Sequence, residues 1–184
     1  MTDFEDRDIK IFSKNSKQDE TDALIDLVEV IARQRSNGNV EKARLLGEDA
    51  ADTIIDSDLI SKFILGSVPD EDTVYQIRLL FTFVAESSLR SSLEIPSLST
   101  VAVNAMYKKL SEFDSELYEN TTDAFTFYYL ALRRANNIEG RIGNRFAMLC
   151  SKENDEEYKK MGTTLYTEIC KMFNEKISNA DFVE

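Results

Sequence analysis

Histidine is absent from the 184 residues of this chain, and its absence removes most of the familiar catalytic arrangements. Imidazole is the commonest general base, and the Ser-His-Asp and Cys-His nucleophile arrangements both depend on it. Nearly all zinc and haem sites use histidine too, as does the Glu-x-x-His pattern of carboxylate-bridged di-iron bundles. The glycine-rich loops that cradle nucleotide phosphates are also missing. We therefore expect no cofactor, and we favour a protein without catalysis over an enzyme restricted to Asp, Glu, Tyr or Arg.

Cysteine, proline and glycine are scarce. The two cysteines, Cys150 and Cys170, are too few for a disulfide framework and too far apart for a Cys-x-x-Cys redox motif, which favours a reducing compartment. Proline and glycine together contribute only 8 residues, so neither a collagen-like nor a disordered chain is expected. The longest uncharged stretch, residues 95–107, has 13 residues, whereas a membrane-spanning helix needs about 20. We predict a cytoplasmic protein that does not enter a membrane.

Positive charge is in deficit. Lys and Arg number 22 against 34 Asp and Glu, which gives a formal net charge of −12. Binding to a nucleic acid depends on clustered Lys and Arg, so a nucleic acid is not expected as a partner. An excess of acidic side chains over residues 21–60 would attract a basic partner. The partners left open are an unknown protein, a small anionic ligand and a second copy of the chain in a homo-oligomer.

The spacing of apolar residues is helical almost throughout. From residue 21 onward, successive segments place apolar side chains three and four residues apart, and Gly, Pro, Asn or acidic residues separate the segments. The pattern predicts an all-α fold, a globular bundle of about eight helices. Residues 1–19 lack this period and are expected to form a flexible N-terminal tail, which leaves residues 20–184 as a single domain.

Two of the predicted helices are apolar on every side. Residues 74–90 and 122–137 contain runs of seven and nine residues without a charge, respectively. A helix of this kind usually lies in the middle of a bundle, with neighbours around it. The residues expected to be almost fully buried for this reason are Phe81, Val84, Phe127 and Leu130.

Two local patterns resemble known families. The acid pairs Asp26-x-x-Glu29 and Asp49-x-x-Asp52 resemble the double acidic motif of the all-α nucleoside-triphosphate pyrophosphatases, although three of the four acids here are aspartates. That resemblance implies a magnesium-dependent hydrolase. Residues 38–43, followed by Ala50, resemble the second half of a tetratricopeptide repeat, which implies a helical-repeat scaffold. Both remain alternatives to a non-catalytic helical protein that binds a partner or a small ligand.

The most unusual local feature is a basic segment. Residues 133–145 contain four arginines and one acid, within a strongly acidic chain. Arg141 and Arg145 are one helical turn apart, at the expected start of a helix, where free backbone N–H groups and two guanidinium groups favour an anion. The expected ligand-binding residues are Arg133, Arg134, Arg141, Arg145, Tyr128 and Tyr129. The competing interpretation is that the arginines pair with acids between helices.

Overall fold

The computed structural model describes residues 25, 28–64, 70–133 and 136–183. Over these residues the regular structure is entirely α-helical, which confirms the predicted fold class. The chain divides into two compact units, Met1–Gly38 and Asn39–Glu184. The predicted boundary between a tail and a domain at residue 19 lies outside the described residues and stays a prediction.

The described residues contain nine helical segments, against about eight predicted. In the first unit, residues 28–36 form α1, which ends at Gly38 in the left-handed conformation that glycine adopts without strain. The helices of the second unit are α2 (Asn39–Ile55), α3 (Ser57–Lys62), α4 (Glu71–Ser92), α5 (Pro96–Phe113), α6 (Ser115–Glu119), α7 (Thr121–Leu132), α8 (Ile138–Leu149) and α9 (Glu156–Asn179).

Aspartate side chains cap four of the eight helices described in the second unit. The Asp70 carboxylate accepts the Thr73 N–H at 2.7 Å at the start of α4. Asp114 does the same for Leu117 N–H in α6. The helix α8 departs from the prediction, because it begins at Ile138 rather than near Arg141. Asn137, with a φ of 53°, turns the chain into this helix.

Helix α4 is the central element of the second unit. It contacts α2, α5, α7, α8 and α9, so that side chains on all of its faces are covered along its middle section. Phe81 and Val84 are buried there, as predicted. Among these buried side chains are the hydroxyl residues Thr82 and Ser88 and one charged residue, Glu86, of which only 8% is exposed.

The prediction for α7 was wrong at two positions. Phe127 is 37% exposed and Leu130 is 46% exposed, because α7 lies at the edge of the second unit and contacts α4, α6 and α8 on one side only. Its buried residues repeat at helical spacing and end with Tyr128 and Ala131. An apolar sequence on every face of a helix therefore did not indicate neighbours on every face.

Close helix contacts in the second unit depend on small residues. A Cβ atom on Gly47 of α2 would lie 2.0 Å from the Ala102 carbonyl oxygen of α5. The small residue of the repeat-like segment therefore packs against α5, more than fifty residues further along the chain.

The last described residues, 181–183, form hydrogen bonds with side chains at the start of α2. The buried Asn39 side chain donates to the Val183 carbonyl at 2.5 Å and accepts the Val183 N–H at 2.9 Å. The Lys42 ammonium also donates to the Asp181 carbonyl. Asn39 and Val183 are 144 residues apart, so this pair of bonds joins the two ends of the second unit.

Candidate functional site

The predicted arginine site is only partly assembled. Arg133 is exposed at the C-terminal end of α7. Arg141 extends to the same helix end, where its Nε donates to the Ala131 carbonyl at 2.8 Å. Arg145 is partly buried, with Nη1 lying 3.8 Å from the Met148 sulfur. Arg134 lies outside the described residues.

The helix end beside Arg141 carries carbonyl groups, which attract a cation and repel an anion. The backbone N–H of Arg141 is not free either, because it donates to the Asn137 carbonyl within α8. Within the described ranges, neither Arg133, Arg141 nor Arg145 forms an ion pair, so the competing interpretation is not seen there. The anion site stays a prediction, and Arg141 also has a structural role as a cap for α7.

Tyr128 and Tyr129, the two tyrosines expected beside the arginines, differ in how deeply they are buried. Tyr128 is fully buried, its ring 5.0 Å from that of Phe83, and burial together with the nearby Cys150 raises the pKa of its hydroxyl well above the ordinary range. Tyr129 is half exposed. Burial and the carboxylate of Glu86 raise its pKa, whereas the Arg90 guanidinium lowers it.

Both acids of the pair on α2 form ion pairs with lysines from other helices. Asp49 accepts from Lys176 of α9 at 2.6 Å, and Asp52 pairs with Lys109 of α5 at 2.6 Å. Glu29 belongs to the first unit, and Asp26 lies outside the described residues. Within the described ranges, no group of three or more Asp, Glu or Cys side chains is arranged to hold a metal ion. The aspartates of α2 thus serve as links between helices.

A different cluster forms a site that was not among those predicted from the sequence. An open cleft of about 500 Å³ lies between α4, α5, α6 and α7. We call it the tyrosine pocket. Its lining residues are Glu86, Tyr107, Tyr118, Glu119, Thr121, Thr122, Phe125, Thr126 and Tyr129.

Glu86 is the buried acid of this pocket, and both of its oxygens are engaged. The Tyr107 hydroxyl donates a hydrogen bond to Oε2. The Arg90 Nε donates to Oε1 at 2.6 Å from the next turn of α4. A buried carboxylate requires such partners, because an unpaired charge away from water is costly. The arrangement therefore holds Glu86 in one position.

Aromatic rings surround this carboxylate. Tyr107 and Tyr118 are in edge-to-face contact, with centroids 5.5 Å apart and planes at 74°. Phe125 and Tyr129 form a second edge-to-face pair at 6.3 Å and 78°. Phe83, beneath them, contacts both rings of the second pair at 5.2–5.3 Å. Four helices thus contribute rings that pack against each other.

The hydroxyls of Tyr107 and Tyr129 keep their protons at neutral pH, because the pKa of each is raised. Burial is the main cause that raises the pKa of Tyr107 far above its usual range, and the hydrogen bond to Glu86 adds to it. The bond to Glu86 also raises the pKa of Arg90. The hydroxyl groups of Thr121 and Thr126 donate to backbone carbonyls of the preceding turn at 2.8 and 3.0 Å. None of these groups is prepared to act as a base or a nucleophile.

One sequence signal pointed towards this site. Glu86 is the only acid between Val74 and Leu93, and it has a basic residue four positions later. A charged residue inside an otherwise apolar helix must find a partner. That signal identifies Glu86 and Arg90, but it does not identify the tyrosines that complete the pocket from α5, α6 and α7.

No described helix is long and apolar enough to cross a membrane. A scan against models of protein families matched none of them, and searches of curated proteins and of solved structures found no match. The site is therefore interpreted from its own geometry and chemistry.

Proposed function

We propose that this protein is a non-catalytic binding protein that holds a small organic ligand in the tyrosine pocket. The observation that carries the proposal is the buried carboxylate of Glu86, fixed by Tyr107 and Arg90 and surrounded by aromatic rings. Ligand pockets typically combine apolar and aromatic walls with a few polar groups held in place. A cleft of about 500 Å³ is also within the range that accommodates small molecules.

The same contacts favour binding over catalysis. A general base needs access to the proton that it removes and a pKa near the working pH. Here Tyr107 holds its proton, and the Glu86 carboxylate is ion-paired with the Arg90 guanidinium and accepts the Tyr107 hydroxyl. A network already held in place costs little to organise when a ligand arrives, which is a feature of a binding site.

The test is a search for ligands that is read at the pocket. Amide chemical shifts of the ¹⁵N-labelled full chain would be followed against a library of small organic compounds containing cations, anions and neutral molecules. At least one compound is expected to shift amides near Tyr107, Tyr118 and Tyr129 together. Tyr118→Ala, which removes an exposed ring of the pocket, should weaken that binding by about tenfold.

Phe127→Ala is the matched control for this experiment. Phe127 lies on the same helix as Phe125 and Tyr129 and does not line the pocket. Its ring is exposed to a similar degree as that of Tyr118. Its removal should leave the affinity of the compound unchanged. A library without any binder at the pocket, or a binder that Phe127→Ala weakens as much as Tyr118→Ala does, would contradict the proposal.

Arg141 supports a second candidate, the binding of a small anion. Its Nη2 is buried and has no hydrogen-bond partner among the described residues, and no described carboxylate pairs with it. Titration with inorganic sulfate tests this site. Sulfate should shift the amides of Arg141 and Arg145 at millimolar concentration, and Arg145→Gln should reduce the shift. Unchanged amides would leave Arg141 as a helix cap.

A further inference from the structure

We infer that the ligand of the tyrosine pocket is an organic cation, an ammonium group carried on an apolar body. The inference rests on the proposed function, since it names the chemical class of the ligand for that same site. Three features of the pocket support it: the sign of the charges that line it, the unused capacity of Glu86, and the arrangement of the rings.

The charges that line the pocket are all negative. Glu86 lies at its base and Glu119 at its exposed rim, and no Lys or Arg is among the described lining residues. Arg90 pairs with Glu86 from outside the pocket, because it lines the neighbouring groove together with Tyr166 and Cys170. A ligand in the tyrosine pocket therefore meets two carboxylates directly.

Glu86 also keeps capacity for a further donor. A carboxylate offers about four lone-pair sites. The Tyr107 hydroxyl uses one on Oε2 and the Arg90 Nε uses one on Oε1. The remaining sites accept hydrogen bonds, so they suit a ligand that donates N–H or presents a positive charge. The Tyr107 hydroxyl already donates its proton to Glu86, so it does not donate a hydrogen bond to an anion.

The rings favour a positive ligand as well. The face of an aromatic ring is negative and attracts a cation within about 6 Å of its centroid. The planes within the pairs Tyr107–Tyr118 and Phe125–Tyr129 are turned by 74° and 78°, so that the four rings do not form one flat stacking surface. Rings turned against each other in this way can surround a compact cation. A flat neutral aromatic compound would instead need parallel surfaces.

The overall charge acts in the same direction. A net charge of −12 draws cations towards the surface and repels anions, with an effect that salt weakens. The field of the whole molecule raises the local concentration of a cationic ligand, and the rings and Glu86 supply its specific binding.

The experiment compares three compounds of nearly the same shape. Choline carries a quaternary ammonium group, 3,3-dimethylbutan-1-ol replaces its nitrogen with carbon and is neutral, and 3,3-dimethylbutanoate is an anion. Each is titrated into the ¹⁵N-labelled full chain at low and at physiological salt. Choline is expected to bind about tenfold more tightly than the neutral alcohol at the amides of the pocket. The anion is expected not to bind there.

Glu119→Gln provides the variant for the charge. Glu119 is exposed, so its replacement leaves the folded core intact. It should weaken choline binding several-fold and leave the neutral alcohol unaffected. Glu116→Gln is the matched control, because Glu116 is an exposed acid on the same short helix and does not line the pocket. It should change choline binding much less than Glu119→Gln does.

The outcomes separate the inference from the proposed function. Equal binding of choline and the neutral alcohol, or a preference for the anion, overturns the inference and leaves a ligand pocket in place. A library that yields only neutral or anionic binders at the pocket has the same meaning. If none of the three compounds and no library member moves the pocket amides, both the inference and the proposed function fall.

Discussion

At the scale of single residues, two tyrosine hydroxyls show how differently a buried polar group can be treated. The Tyr107 hydroxyl donates to the buried carboxylate of Glu86. The Tyr128 hydroxyl is fully buried and has no hydrogen-bond partner among the described residues. A buried hydroxyl without a partner loses its hydration and gains nothing in return.

Removing these two hydroxyls should therefore have opposite effects on stability. We predict that Tyr128→Phe leaves the free energy of unfolding unchanged or raises it by up to about 1 kcal/mol. Tyr107→Phe should lower it by about 1–3 kcal/mol, since Glu86 would lose one of its two partners. Urea denaturation followed by circular dichroism measures both values. A loss above about 1 kcal/mol in Tyr128→Phe would show that the hydroxyl has a partner after all.

At the scale of the element, α7 offers a comparison of two identical side chains. Phe125 is 6% exposed and contacts Phe83 and Tyr129, whereas Phe127 points outward at 37% exposure. We predict that Phe125→Ala lowers the free energy of unfolding by about 3–5 kcal/mol, through lost burial and a cavity. Phe127→Ala should cost about 1 kcal/mol or less. Equal losses in the two variants, measured by urea denaturation, would contradict the orientation of α7.

The sequence predicted the positions of the helices better than it predicted which of their faces are buried. The apolar run before Glu86 correctly placed α4 at the centre, because α4 is long and has neighbours on several sides. The same reasoning failed for Phe127, because periodicity cannot say how many neighbours a short apolar helix has. The orientation of a helix can be predicted when polar residues occupy one of its faces. The outward face of α7 has too few polar residues for this.

The site shows a similar limit. Glu86 was detectable in principle, since an acid inside an apolar helix must be paired. Its partner Tyr107 lies 21 residues away on another helix, and the contact depends on how α4 and α5 pack. Arg141 illustrates the reverse case. Its clustering with other arginines was visible in the sequence, but its bond to the Ala131 carbonyl depends on a helix start three residues earlier than predicted.

At the scale of the whole molecule, the tyrosines set a limit to stability in alkali. The pKa is raised above its ordinary value of about 10 for Tyr75, Tyr107, Tyr128, Tyr129 and Tyr166, with burial as the largest cause in each. Well below pH 10 the folded and unfolded chains hold these protons equally. Above pH 10 the unfolded chain releases them first, so the folded chain binds more protons and stability falls as the pH rises.

We therefore predict a steep loss of stability above pH 10. The urea midpoint should decrease between pH 9.5 and pH 11, and the absorbance of tyrosinate should rise in the same interval as the protein unfolds. Tyr107→Phe, compared with its own midpoint at pH 9.5, should show a smaller decrease because it lacks one of the raised groups. Full ionisation of the tyrosines near pH 10, while the protein stays folded, would contradict this expectation.

The fastening of Val183 to Asn39 also has a consequence for the kinetics of folding. Contacts between residues 144 apart carry a high entropic cost of closure, so they form only after most of the chain between them is in place. Interactions that are absent from the transition state act on the unfolding rate alone. Asn39→Ala should therefore speed unfolding several-fold in stopped-flow denaturant jumps and change the refolding rate by less than about twofold. Lys42→Met, which removes only the exposed contact to Asp181, should alter neither rate appreciably. Slower refolding in Asn39→Ala would instead mean that the two ends meet early in folding. With the bonds formed late, as we expect, the C-terminal residues act as a latch that sets the lifetime of the folded state.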